Sequence, residues 1–152
     1  MKMPRLACTL LLLVSMVFPA AVLADDLIIR RVGMTFPETM NALQSAIAEE
    51  GYKVSRVQRV DIGLTGSGYN TAEYRIVFFM RENIVHEMAV THPELTPFLP
   101  LKVTIFAEGN ETVLVTMNPI KLDEFFPELN MAMTFARWTV DVNRILDRVQ
   151  SE

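Results

Sequence analysis

Residues 72–119 read AEYRIVFFMRENIVHEMAVTHPELTPFLPLKVTIFAEGNETVLVTMNP, and this stretch decides the fold. Ala72 to Met80 is a strand whose core, Ile76-Val77-Phe78-Phe79, is apolar on both faces. Such a run predicts a strand covered on both sides, or one covered by a partner. Asn83 is a candidate cap for a short helix with Ile84, Met88 and Val85 facing inward. Pro93 ends it, and Pro97 and Pro100 keep the next segment extended. Leu101–Ala107 and Thr112–Met117 then alternate as a hairpin around Glu108-Gly109-Asn110-Glu111. Asn118-Pro119 caps and opens a helix of one or two turns through Phe126.

Outward toward the N-terminus, Leu27–Val32 is a short strand with Leu27 and Ile29 on one face and Ile28 and Val32 on the other. A helix follows. Thr35, Pro37 and Glu38 make a capping box; Phe36, Met40, Leu43 and Ile47 form one apolar stripe, and Gly51 ends it. Tyr52–Val60 alternates as a strand, with a change of phase between Val54 and Val57 that predicts a bulge. The segment Gly63–Asn70 holds three glycines, which could cradle an anion with backbone amides. It leads into a strand instead of opening a helix and contains no lysine, so we read it as a connecting loop.

Toward the C-terminus, Pro127 starts a final helix running to about Val149. Its apolar residues exceed a single stripe. Phe135 and Trp138 are therefore left as candidates for a second, partner-facing surface, with a homodimer as one form it could take. Together the elements predict an α+β domain: a two-layer sandwich with a mostly antiparallel sheet of about five strands and helices packed on one face.

The first 24 residues have a different character. Lys2 and Arg5 precede an apolar run from Leu6 to Phe18, and Val22-Leu23-Ala24 completes a cleavage signal. That order describes a secretory signal peptide over residues 1–24, cleaved after Ala24, and a periplasmic or secreted domain over residues 25–152. The alternative is an uncleaved anchor, since Leu6–Ala24 approaches the ~20 residues a span needs. Pro19 and the cleavage signal favour removal, leaving no stable membrane span. Cys8, the one cysteine, leaves with the leader, which excludes disulfides, thiolate catalysis and cysteine metal sites in the mature chain.

The leader carries two of the 14 basic residues and none of the 18 acidic ones, so the mature net charge is 12 − 18 = −6. That balance excludes nucleic acid as an expected partner. His86-Glu87 resembles the start of a zinc-peptidase motif, but the residue four after His86 is Val90, and His92 lies on another helix face. The methionines fall on apolar stripes and strand ends, where they fill cores. No metal or cofactor is expected.

The chain resembles the uncharacterised family catalogued as domain of unknown function 302. The resemblance rests on Ala48-Glu49-Glu50-Gly51-Tyr52, Ile76-Val77-Phe78, Met88 with Pro93-Glu94-Leu95, Leu99-Pro100-Leu101-Lys102-Val103 and Thr116-Met117-Asn118-Pro119. It covers roughly Met34 to Asp147. Many members show Gly-Asn-Pro after the strand, where this chain has Met80-Arg81-Glu82. The resemblance implies a compact two-layer α+β domain, often self-associating, and no established activity.

Three functions fit. The leading expectation is a non-enzymatic exported domain binding a small ligand or a periplasmic protein, with Arg81, Glu82, His86 and Asn118 as the candidate ligand site. The alternatives are a structural subunit of a periplasmic complex recruited through the last helix, and an enzyme using carboxylates or His86.

Overall fold

The computed structural model describes residues 26–151. The leader, its cleavage site after Ala24, and Cys8 lie outside those residues. Five strands form one sheet: β1 (Leu27–Val32), β2 (Lys53–Arg59), β3 (Tyr74–Met80), β4 (Leu101–Glu108) and β5 (Glu111–Met117). Their order is β1-β5-β4-β3-β2, and every neighbouring pair is antiparallel. Between them run α1 (Phe36–Glu49), α2 (Val60–Gly66) and α3 (Glu82–Thr91), and after β5 come α4 (Leu122–Phe125) and α5 (Ala132–Gln150). The α+β two-layer architecture is the one the sequence predicts. Among the described residues no helix is long and apolar enough to cross a membrane.

Alternation along the strands decides which face is core. Ile28 and Val32 of β1, Val77 and Phe79 of β3, Leu101, Val103 and Ile105 of β4, and Leu114 of β5 are buried on one face. Against that face lie Leu43, Ala46 and Ile47 of α1 and Val142, Ile145, Leu146 and Val149 of α5. Burying side chains of this size contributes about 1.5–3 kcal/mol each. Arg30 shares the inward face but reaches α5, donating to Asp147 Oδ1 at 2.9 Å and to Asn143 Oδ1 at 2.9 Å.

Local chemistry sets the element ends. Glu38 Oε2 accepts from the Thr35 amide at 3.0 Å and from its hydroxyl at 2.6 Å, closing the capping box. These bonds, the hydroxyl's first, hold the Glu38 carboxyl below its ordinary range. Gly51 takes φ +78, and the Tyr52 amide returns to the Ile47 carbonyl at 3.0 Å. The register of β2 on β3 shifts between Val54 and Arg56. This bulge keeps both Val54 and Val57 on the core face, as the phase change predicts. Gly109, at φ +61, turns the β4–β5 hairpin.

Several boundaries differ from expectation. Val60–Gly66 is helical, so half of the glycine-rich connecting loop is α2. An ion pair holds it in place: Asp61 meets Arg75 of β3, and Arg75 also lies 5.4 Å from the centre of the Phe36 ring. Burial pushes the Asp61 carboxyl up, but the hydrogen bonds from Arg75 and the Ile62 amide outweigh it and hold the group below its ordinary range. The cap of α3 is Arg81, not Asn83. Pro93–Phe98 winds as 3-10 turns instead of running extended, because proline's fixed φ suits the first position of a turn as well as an extended chain. α5 begins at Ala132, five residues beyond Pro127, because Asn130 adopts a left-handed φ of 54° that breaks the helix.

Phe135 and Trp138 also differ from expectation. They are 0% and 4% exposed and pack on each other at 5.6 Å inside the core. The face of α5 that was expected to remain for a partner is the face that closes the fold. Its outward apolar residues are instead Met133 and Val140.

Candidate functional site

The site forms where β2 begins, β3 ends, and α3 and α5 meet. Tyr52 is placed by the Gly51 turn, so its ring enters the core edge-on to Phe79, at 5.7 Å. Its hydroxyl donates to Asp141 Oδ2 on α5 at 2.7 Å. Both residues are buried. Burial pushes the Tyr52 hydroxyl well above its ordinary value, and the bond to Asp141 adds to the shift.

Arg81, the last residue before α3, lies over this pair. Its guanidinium sits 4.6 Å from the centre of the Tyr52 ring, 3.6 Å from Asp141 Oδ2, and donates to the Glu50 carbonyl at 3.2 Å. Arg144 closes the other side, 3.1 Å from Glu50 Oε1 and 3.8 Å from Asp141 Oδ1. One buried carboxylate thus orients a tyrosine and two arginines. Cation–π contact and a planar guanidinium fix Arg81 more firmly than a lysine could be fixed.

Beside this cluster is a cleft of about 260 Å³ between α3 and α5. Met80, Ile84, Met88 and Trp138 give it an apolar wall. Its polar groups are Arg81 from one side, Thr134 and Arg137 from α5, and Glu87 from α3. Thr134, Arg137 and Trp138 converge because spacings of three and four share a helix face. A small pocket with an apolar wall and a few convergent charges has the composition of a ligand site.

Around the corner, an open groove of about 700 Å³ is lined by Lys53, Arg81, Glu82 and His86. The structure therefore brings Arg81, Glu82 and His86 together at the start of α3. Asn118 is not with them. It lines a separate depression of about 560 Å³ with Asp26, Arg30 and Asn143. There its Oδ1 accepts from Thr139 Oγ1 at 2.8 Å and from the Ile120 amide at 3.4 Å, capping the turn that begins at Pro119. Among the described residues no group of three or more His, Cys, Asp or Glu is placed to hold a metal ion.

Tyr52, Asp141 and Arg137 were not singled out as site residues by the sequence, and Glu87 only as the neighbour of His86 in a motif that the spacing ruled out. One signal was available. Phe135, Trp138, Val142, Ile145 and Val149 trace the buried stripe of α5, and Asp141 sits within it as a lone acid. A charge on a buried stripe requires a partner.

A family model described as "Domain of unknown function DUF302" matches residues 28–149. The chain belongs to this family. The DUF302 match runs from β1 to α5 and so includes every element of the sheet. A crystal structure of an uncharacterized conserved protein DUF302 from Bacillus stearothermophilus is similar at a TM-score of 0.75. The two are 19% identical over 83% of this chain and 99% of that one, a likeness in fold. A search of curated proteins finds no match. Arg81 falls within Met80-Arg81-Glu82, where the chain departs from the Gly-Asn-Pro pattern of the resemblance.

Proposed function

We propose that this chain is an exported, non-enzymatic ligand-binding domain whose site is the cleft between α3 and α5. Export is supported by the order of charge, apolar run and small residues in the leader. The ligand class follows from the cleft. Arg137 forms no ion pair among the described residues, and it shares the cleft with an Arg81 held by Tyr52 and Asp141. That pairing is the observation that carries the reading: a fixed guanidinium and an unpaired one favour a carboxylate or phosphate. Met80, Met88 and Trp138 give the remainder of the ligand an apolar bed. A volume of about 260 Å³ limits it to the size of an amino acid or smaller phenyl compounds.

Calorimetric titration of the exported chain with acetate, benzoate, phosphate and phenyl phosphate tests this. The compounds with a ring should bind more tightly than the bare anions, and Arg137→Ala should weaken the binding of all of them. Absence of binding by all four at millimolar concentration, or binding unaffected by Arg137→Ala, would overturn the proposal.

A further inference from the structure

A ligand that is only an anion leaves Glu87 unexplained. Glu87 reaches the cleft from α3, where it shares a helix face with Ile84 and Met88 at spacings of three and four. Thr134, Arg137 and Trp138 repeat that spacing on α5, so an exposed acid and an exposed base line the cleft from opposite helices. Among the described residues neither Glu87 nor Arg137 forms an ion pair, with the other or with any third group. A carboxylate in a cleft built for a bare anion repels its own ligand. Beside a ligand that also carries a cation, the same carboxylate completes the site.

We propose that the ligand is an α-amino acid with an apolar side chain, bound as its zwitterion. The proposal rests on the anion-binding reading of this cleft and narrows it to one ligand class. The carboxylate takes the Arg81 and Arg137 guanidiniums, and the α-ammonium donates to Glu87 and to the Thr134 hydroxyl. Both ionic groups sit on one carbon, so a single ligand atom between the helices serves Arg137 and Glu87 together. The side chain then takes the apolar wall of Met80, Met88 and Trp138. The balance of the whole chain favours the same ligand. Residues 25–152 carry 12 basic and 18 acidic residues, a net charge of 12 − 18 = −6. That field opposes the approach of a free anion, whereas a zwitterion has no net charge for it to repel.

Calorimetric titration of residues 25–152 with L-phenylalanine, 3-phenylpropionate and phenethylamine tests the proposal, because the three share a ring and differ in their charges. Phenylalanine should bind roughly tenfold or more tightly than either of the others. Glu87→Gln, at an exposed position, should keep the wild-type circular dichroism spectrum and move two affinities in opposite directions. It removes the partner of the ammonium, so phenylalanine should weaken by roughly tenfold. It also removes a like charge from beside the carboxylate, so 3-phenylpropionate should bind more tightly. If 3-phenylpropionate binds the wild type as tightly as phenylalanine, or Glu87→Gln changes both alike or neither, the zwitterion is overturned and the anion-binding cleft stands. Phenethylamine binding as tightly as phenylalanine overturns both, since no carboxylate is then needed. Absence of binding by all three at millimolar concentration overturns both as well.

Discussion

The Tyr52 hydroxyl and the Asp141 carboxylate, 89 residues apart in the chain, meet at 2.7 Å in a buried hydrogen bond. This bond joins the turn after α1 to the middle of α5, and it supports Arg81 over the Tyr52 ring. Tyr52→Phe keeps the ring and removes the donor, leaving the buried Asp141 short of a partner. We expect a loss of about 1–3 kcal/mol in denaturant unfolding, seen as a lower midpoint at an unchanged slope. An unchanged midpoint would mean that the bond contributes nothing to folding.

The same bond predicts behaviour in alkali. The folded state holds the Tyr52 proton above its ordinary value, chiefly through burial and then through Asp141. An unfolded tyrosine ionises near pH ~10. Below that pH the contribution to stability is fully present. Above it the unfolded chain releases a proton that the folded chain keeps, so stability falls as pH rises, by about 1.4 kcal/mol per pH unit for this group. Unfolding measured between pH 9 and roughly 11.5 should show this decline, and Tyr52→Phe should flatten it.

Asp61 predicts the opposite limb. Its carboxyl is held below the ordinary range against its own burial by Arg75 and the Ile62 amide. Its contribution is present above the unfolded value near ~4 and is lost as pH falls through the folded one. Asp61→Asn should cost about 1 kcal/mol at neutral pH and less in acid, where the wild type has lost the same interaction. Equal losses at pH 7 and pH ~2.5 would contradict this assignment.

Much of the fold is legible in the sequence because its determinants are local. Thr35 and Glu38 are three residues apart, Gly109 turns a hairpin of adjacent strands, and the Val54–Val57 phase change marks the bulge within one strand. The site is less legible because its determinants are distant. Nothing local to Tyr52 announces Asp141, and Arg137 becomes notable only when Arg81 is found across the cleft. α2 was hidden for a different reason. Gly63 and Gly66 disfavour a helix by roughly 1 kcal/mol each, and a tertiary ion pair, Asp61 with Arg75, holds it.

Trp138 and Met133 separate core from surface on one helix. Trp138→Ala should cost roughly 3–5 kcal/mol, because it empties a packed position beside Phe135. Met133, 89% exposed, should tolerate Ala within about 0.5 kcal/mol. Thermal unfolding of the two variants side by side checks the burial assigned to each. Comparable losses would contradict it.

On the function proposed above, the cleft between α3 and α5 holds a small anion with an apolar body. Two-dimensional NMR of residues 25–152 during titration with phenyl phosphate tests this. Saturable shifts are expected, confined to the Trp138 indole, the Arg81 and Arg137 side chains and the amides of Ile84, Glu87 and Thr134. Shifts that cluster instead around Asn118 and Asn143, or none at saturating ligand, would contradict it.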